Sequence, residues 1–204
     1  MQYPGRLDRI AEPGIGRMAR MVEVLRPVVL SLLDRPVALF EHSLGASIAF
    51  EVARRIEQQD DARLLWVVVS GRPPPDRPRP GNRHLDDDLL WQDLCRLGGV
   101  PEEILDYPGV RAMAIGAVRT NYRLIETYRP TEGPPLTSPL AAWLGTADPE
   151  VTEDEARVWA KFTGAEFELR MFDGDHFYFA PARQAVVGEV VRGVLDRLRD
   201  RGDR

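Results

Sequence analysis

Pro36-Val37-Ala38-Leu39-Phe40-Glu41-His42-Ser43-Leu44-Gly45-Ala46 decides the fold. Its first five residues form a short apolar run, the pattern of a buried strand. Beyond it, Ile48, Ala49, Val52, Ala53 and Ile56 recur at the spacing of one helical face. Ser43 therefore stands on a tight turn between a strand and a helix, where a nucleophile elbow belongs. The N-terminus of the following helix points at whatever reacts with the serine, and the Leu44 N–H is free to donate to an oxyanion. Gly45 lets the turn pack closely. The usual pattern is G-x-S-x-G, and Glu41 replaces its first glycine. A large side chain there should crowd the turn, and a carboxylate beside the serine should disfavour negative charge on the substrate. Because S-x-G alone is a common pattern, the reading depends on finding partners for Ser43 elsewhere.

Outward from this stretch, Leu64 to Val69, Ala141 to Leu144 and Phe167 to Phe172 read as further buried strands. Residues 15–33 have helical periodicity that Pro27 interrupts, which predicts a kink or two shorter helices. The last helix spans about 182–198, with Val187, Val191, Val194, Leu195 and Leu198 expected on its inner face. Strands alternating with helices imply an α/β fold, a parallel sheet covered on both sides. Two stretches depart from the alternation. Residues 72–83 are Pro-rich and read as a semi-rigid connector. Residues 85–127 read as consecutive helices, at about 85–97, near 102–105 and over 109–127. Such a helical block between two strands resembles a lid. The expected organisation is a core part over 1–71 carrying the elbow, a connector and lid over 72–134, and a second core part over 135–204.

A nucleophilic serine needs a base, and the chain has three histidines. His42 is adjacent to Ser43, so its ring should point elsewhere, as a packing or oxyanion-side residue. His84 lies at the end of the connector and is expected in solvent. His176, in Phe172-Asp173-Gly174-Asp175-His176-Phe177, follows the last strand and precedes the last helix, the place for a general base. Its orienting carboxylate is expected from Asp148, in the turn after the strand Ala141 to Leu144, with Asp173 as second choice. Asp175 is too close in the chain to reach the ring. Sites in open α/β folds gather at this C-terminal edge of the sheet. The order Ser43, Asp148, His176 is the α/β-hydrolase order.

The remaining composition narrows the classes. The net charge of −5 gives no reason to expect nucleic-acid binding. No apolar run approaches the roughly 20 residues that a membrane span needs. The first residues lack the apolar core of a secretory signal. The single Cys95 excludes an intramolecular disulfide, and with the missing signal it suggests the cytoplasm. Asp86-Asp87-Asp88 reads as a negatively charged helix start and not as a metal site.

Several segments in order resemble the type II (editing) thioesterases that accompany nonribosomal peptide synthetases and polyketide synthases. They are Gln2-Tyr3-Pro4-Gly5-Arg6, Phe40 to Ala46 (family form F-G-H-S-M-G-A), Val69-Ser70-Gly71-Arg72 and Leu97-Gly98-Gly99-Val100-Pro101, followed by Glu126-Thr127-Tyr128, Gly145-Thr146-Ala147-Asp148-Pro149 and Gly174-Asp175-His176-Phe177-Tyr178. The resemblance implies an α/β-hydrolase fold with a helical lid. It also implies a Ser43–Asp148–His176 triad, no metal or cofactor, and hydrolysis of stalled acyl or peptidyl groups from the phosphopantetheine arms of carrier proteins. In the family, Q-Y-P-G-R follows two strands and a loop resembling P-H-A-G-G, which supplies a second oxyanion N–H. That segment is expected to be missing here, by truncation or by a start at an internal methionine. The Ser43 strand would then expose an edge, and a lost oxyanion donor costs on the order of 10²–10³ in rate.

On this reading Ser43 attacks a thioester carbonyl, Leu44 N–H holds the oxyanion, and His176 passes the proton to the leaving thiol and then activates water. Trp91, Leu94, Met113, Val118 and Tyr122 are candidate substrate-lining residues. Two alternatives stay open: an impaired relative that binds carrier proteins or a partner enzyme, for which Glu41 speaks, and a general carboxylesterase on the same fold.

Overall fold

The computed structural model describes residues 2–9, 11–60, 64–100, 103, 107, 109–130 and 132–202. The chain divides into two compact units, one from Met1–Met21 and Pro78–Pro130, the other from Val22–Arg77 and Thr131–Arg204. The first 21 residues thus group with the helical block.

The second unit is built on four parallel strands in the order β1-β2-β3-β4. These are β1 (Ala38–His42), β2 (Trp66–Ser70), β3 (Leu140–Gly145) and β4 (Phe167–Phe172). Every residue of β2 and β3 is buried, as expected of central strands covered on both faces. Among the described residues β1 pairs with β2 alone and forms one edge of the sheet. On one face, α2 (Leu44–Asp60) packs over β1 and β2, burying Ile48, Ala49, Val52, Ala53 and Ile56 as their spacing predicts. On the other, Trp66, Val68, Ala141, Trp143, Tyr178 and Val186 form a buried cluster, with Phe40, Phe172, Phe179, Val190 and Val194 against it.

Two expectations about helices are corrected. Of the two outcomes expected at Pro27, the division into two shorter helices is not found, because α1 (Met18–Leu30) is continuous through it. The lost N–H falls in the last turn, the Pro27 carbonyl still accepts from Ser31 N at 3.1 Å, and burial of Val22, Leu25 and Val29 holds the face in place. The other correction concerns α6 (Arg183–Gly202), which follows β4 and the short α5 (Glu153–Arg157) in the chain and on which Val187, Val191, Leu195 and Leu198 are exposed. The inner row is Val186, Val190, Gly193 and Arg197. Trp66 fills the space a Cβ at Gly193 would need, its Cζ3 lying 2.6 Å from that position. The Arg197 guanidinium covers the Trp66 ring at 4.4 Å. Both rows satisfy a helical period, and the more apolar one faces solvent because the buried indole needs a missing side chain and a flat cation.

In the helical unit, α3 (Asp87–Arg96) and α4 (Val110–Thr127) form where periodicity places them; the turn expected near 102–105 lies, apart from Glu103, outside the described residues. Asp86 caps α3 by accepting from Asp88 N and Leu89 N, so the acidic triplet is a helix start. His84 is not solvated. The Glu126 carboxylate, 2% exposed, accepts from Arg83 N and His84 N and bonds the His84 ring at 2.6 Å, tying the connector to the end of α4. Among the described residues no helix is long and apolar enough to cross a membrane.

Gly193→Leu should force the Trp66 ring to move and cost about 1–3 kcal/mol by overpacking, whereas Val191→Gln on the exposed row should stay within about 0.5 kcal/mol of the parent. Urea denaturation midpoints at unchanged slope measure both.

Candidate active site

Ser43 follows β1 directly and precedes the first residue of α2. Its φ is 53°, and among the described residues it is the only non-glycine with positive φ. A left-handed conformation costs an L-residue about 1–2 kcal/mol, so the surrounding structure must impose it. Two bonds do: Ser43 N donates to Ser70 O at 2.7 Å, and Ala46 N donates to Ser43 O at 3.0 Å. Leu44 opens α2, so its N–H is among the helix's unpaired first donors. Glu41 does not prevent the turn. Its carboxylate occupies the room where a Cβ on Gly45 would sit, so the glycine and the glutamate fit as a pair.

Asp148 and His176 meet by a different device. The turn after β3 and the loop after β4 are stitched together, with Thr146 N donating to Phe172 O and Ala147 N to Gly174 O, both at 2.8 Å. A Cβ on Gly145 would collide with the carbonyl oxygens of Gly174 and Asp175, so only glycine lets the loops pass this closely. The crossing places His176 Nδ1 3.0 Å from both Asp148 carboxylate oxygens. Both side chains are withdrawn from water, at 2% and 0% exposure. An ionised Asp148 selects the tautomer with its proton on Nδ1, leaving Nε2 with a lone pair. The competing acids are occupied elsewhere, since Asp175 accepts from Phe177 N and Asp173 from the Thr146 hydroxyl.

Between elbow and base lies a group the sequence shows less plainly. His42 and Ser70 are register partners on β1 and β2, so strand alternation puts them on the same face as Phe40 and Val68. His42 Nδ1 lies 2.9 Å from the Ser70 hydroxyl, which lies 2.6 Å from the Tyr178 hydroxyl. The His42 ring rests on His176, centroids 4.6 Å apart. Gly71, at φ +60°, leaves room for both rings: a Cβ there would stand 2.4 Å from His42 Cε1 and 3.2 Å from His176 Cε1. His42 thus packs, as its position beside Ser43 suggests. Among the described residues no hydrogen bond joins the Ser43 hydroxyl to His176. The three predicted residues occupy one end of the sheet, with one of the two required bonds formed.

The candidate lining residues lie in the helical unit and are dispersed. Leu94 is buried, Tyr122 donates its hydroxyl to Asp93 at 2.8 Å, and Trp91 and Val118 are partly buried. Met113 is 71% exposed and lines a cavity of about 320 Å³ with Pro4, Glu12, Thr120 and Asn121.

Burial, then the neighbouring His176, pushes the His42 pKa down from 6.5 to about 3, against a smaller opposing pull from Asp148. The unfolded chain therefore binds a proton between these values that the folded chain refuses. This contribution to stability is complete above pH 6.5 and is lost as pH falls toward 3, at up to about 1.4 kcal/mol per pH unit. Replacing His42 by Phe should remove that part of the slope in urea denaturation between pH 6.5 and 4; an unchanged slope would contradict it.

A thioesterase domain profile matches residues 1–195. The probable cadicidin biosynthesis thioesterase of Streptomyces griseus is 36% identical over 195 residues, 95% of this chain, and thioesterase PikA5 of Streptomyces venezuelae is 36% identical over 180 residues, 87% of this chain. The chain spans 54% and 64% of their lengths. The solved type II thioesterase BorB, from the borrelidin biosynthetic cluster, superposes with a TM-score of 0.85 at 41% identity, covering 95% of this chain and 79% of BorB. RedJ, from the prodiginine pathway of Streptomyces coelicolor, superposes at 0.86 with 28% identity. A parallel sheet flanked by helices agrees with these likenesses, and the chain belongs to the thioesterase domain family.

Proposed function

We propose that this protein hydrolyses acyl and peptidyl thioesters from phosphopantetheinylated carrier proteins, an editing activity beside a nonribosomal peptide or polyketide synthase. The observation that carries this reading is the buried Asp148–His176 pair at the same sheet end as the left-handed Ser43. Family membership and the likeness to thioesterases of biosynthetic clusters supply the substrate class.

In the proposed reaction His176 Nε2 accepts the Ser43 proton as the hydroxyl oxygen bonds to the thioester carbonyl carbon. The oxyanion is held by Leu44 N–H at the start of α2, and Asp148 stabilises the imidazolium. As the tetrahedral species collapses, the carbon–sulfur bond breaks and His176 gives its proton to the leaving thiolate. Water, deprotonated by His176, then attacks the acyl–Ser43 carbonyl; as the ester C–O bond breaks, His176 returns that proton to the Ser43 oxygen and the acid is released. The hydroxyl-to-imidazole bond must form on substrate binding, since catalytic hydrogen bonds commonly reach their working geometry only in the substrate complex.

Glu41 favours a second reading, that of an impaired relative which binds carrier proteins without turning them over. Its carboxylate lies beside Gly45 in the first turn of α2, where negative charge opposes a second negative charge on the substrate.

Release of acid from an acyl-loaded carrier protein tests both readings. Turnover should fall to background in Ser43→Ala and by about 10⁴-fold in Asp148→Asn, where the tautomer is no longer enforced. Equal release by parent and Ser43→Ala would end the enzymatic reading. Glu41→Gly should raise turnover; tight carrier binding without release from either parent or Glu41→Gly would favour the binding module.

A further inference from the structure

Tyr178, Ser70 and His42 form a buried polar chain that the proposed reaction does not use. Tyr178 and Ser70 are each 0% exposed, and Tyr178 is held by stacking on Phe172, rings 4.9 Å apart and 12° from parallel. The protons along the chain can be counted. Each hydroxyl has one proton to donate, and a neutral imidazole has one N–H and one lone pair. If His42 Nδ1 carried the proton and donated to Ser70, then Ser70 would either pass its proton to Tyr178, leaving the Tyr178 proton without an acceptor in the chain, or accept from both neighbours, leaving its own proton without one; in both cases the His42 Nε2 lone pair is stranded too. In the opposite sense, Tyr178 O–H donates to Ser70, Ser70 O–H donates to His42 Nδ1, and both hydroxyl protons are used. The proton of His42 then sits on Nε2, which is buried without a partner among the described residues. The second sense strands fewer groups.

The far side of His42 is the tilted contact with His176, 52° between planes. Asp148 pins one edge of His176 at Nδ1, and this leaves the ring free to swing about that bond. A ring anchored at its own Nδ1 and lying against His176 removes that freedom. Phe179, 4.7 Å from His42, and Phe177, 5.1 Å from His176, close the remaining sides. Burial raises the Tyr178 hydroxyl to about 12 and lowers His42 to about 3, so no charge from the chain opposes the imidazolium on His176 at neutral pH.

We infer that His42 is a positioning residue for the base: the donor sequence Tyr178 to Ser70 to His42 Nδ1 fixes its ring in the Nε2–H tautomer, and that ring sets the plane of His176. The catalytic part of this inference rests on the reading of His176 as general base; the tautomer part does not.

The test has two arms. Nitrogen-15 NMR of the imidazoles in the unaltered protein should show His42 protonated at Nε2 and bare at Nδ1, and a protonated Nδ1 would overturn the donor sequence. In Tyr178→Phe and Ser70→Ala the His42 signals should become a tautomer mixture, and the midpoint of the His176 titration should move. The second arm is turnover of an acyl-loaded carrier protein against pH. Tyr178→Phe should lower kcat on the order of 10-fold at unchanged KM, since misplacing a reacting group by about 1 Å costs up to ~10²-fold, and the acid limb of the profile should shift with the His176 titration. His42→Phe, which keeps the ring face, should retain more activity than His42→Asn, which keeps only an atom able to bond Ser70. Parental kcat and an unshifted His176 titration in Tyr178→Phe would overturn the positioning role, and so would the reverse ranking of the His42 variants. Should the parent release no acid, the thioesterase reading fails while the NMR arm still decides the donor sequence and the coupling to His176.

Discussion

The bond between the Asp148 carboxylate and His176 Nδ1 is the constraint around which the sheet end is organised. Both groups are almost fully withdrawn from water, where an unpaired charge would be costly, so the pair exists only if its geometry is imposed from outside. That imposition comes from backbone. Thr146 and Ala147 donate to Phe172 and Gly174, and Gly145 gives up a side chain so that the two loops can cross. Ionic attraction then acts on groups already in place, and its effect is chemical: it decides which nitrogen of His176 is available.

The same economy recurs at the other loops. Gly71 leaves a space that two imidazoles share, and Gly45 leaves one that the Glu41 side chain occupies. In each case the chemistry-bearing residue is held by what a neighbouring glycine lacks. Ser43 is the exception, since it takes the left-handed conformation itself and relies on Ser70 O and on the start of α2 to hold it there. The strain sits at the residue whose hydroxyl must project from the turn.

Much of this was legible in the sequence because it depends on local order. Strand–turn–helix around Ser43 and the placement of Asp148 and His176 after successive strands follow the order of the chain. What was not legible depends on which faces meet. His84 reads as a solvated connector residue, because nothing local announces that the Glu126 carboxylate will return to bond it. Of the residues expected on the inner face of α6 only Val194 packs there, because periodicity fixes the spacing of a row but not its direction, and the true row contains Gly193 and Arg197. Ser70 did carry a signal: it is the one polar residue ending the apolar run Trp66 to Val69, at the register partner of His42. Reading it as a site residue requires knowing that β1 and β2 are parallel neighbours in that register.

The account of the site turns on whether the buried Asp148–His176 pair activates Ser43 at the same end of the sheet. Labelling by a fluorophosphonate probe, followed by peptide mass mapping, measures this most directly. The account predicts modification at Ser43 that is abolished in His176→Ala; modification of that variant at the parental rate, or a parent that labels only at another residue, would contradict it.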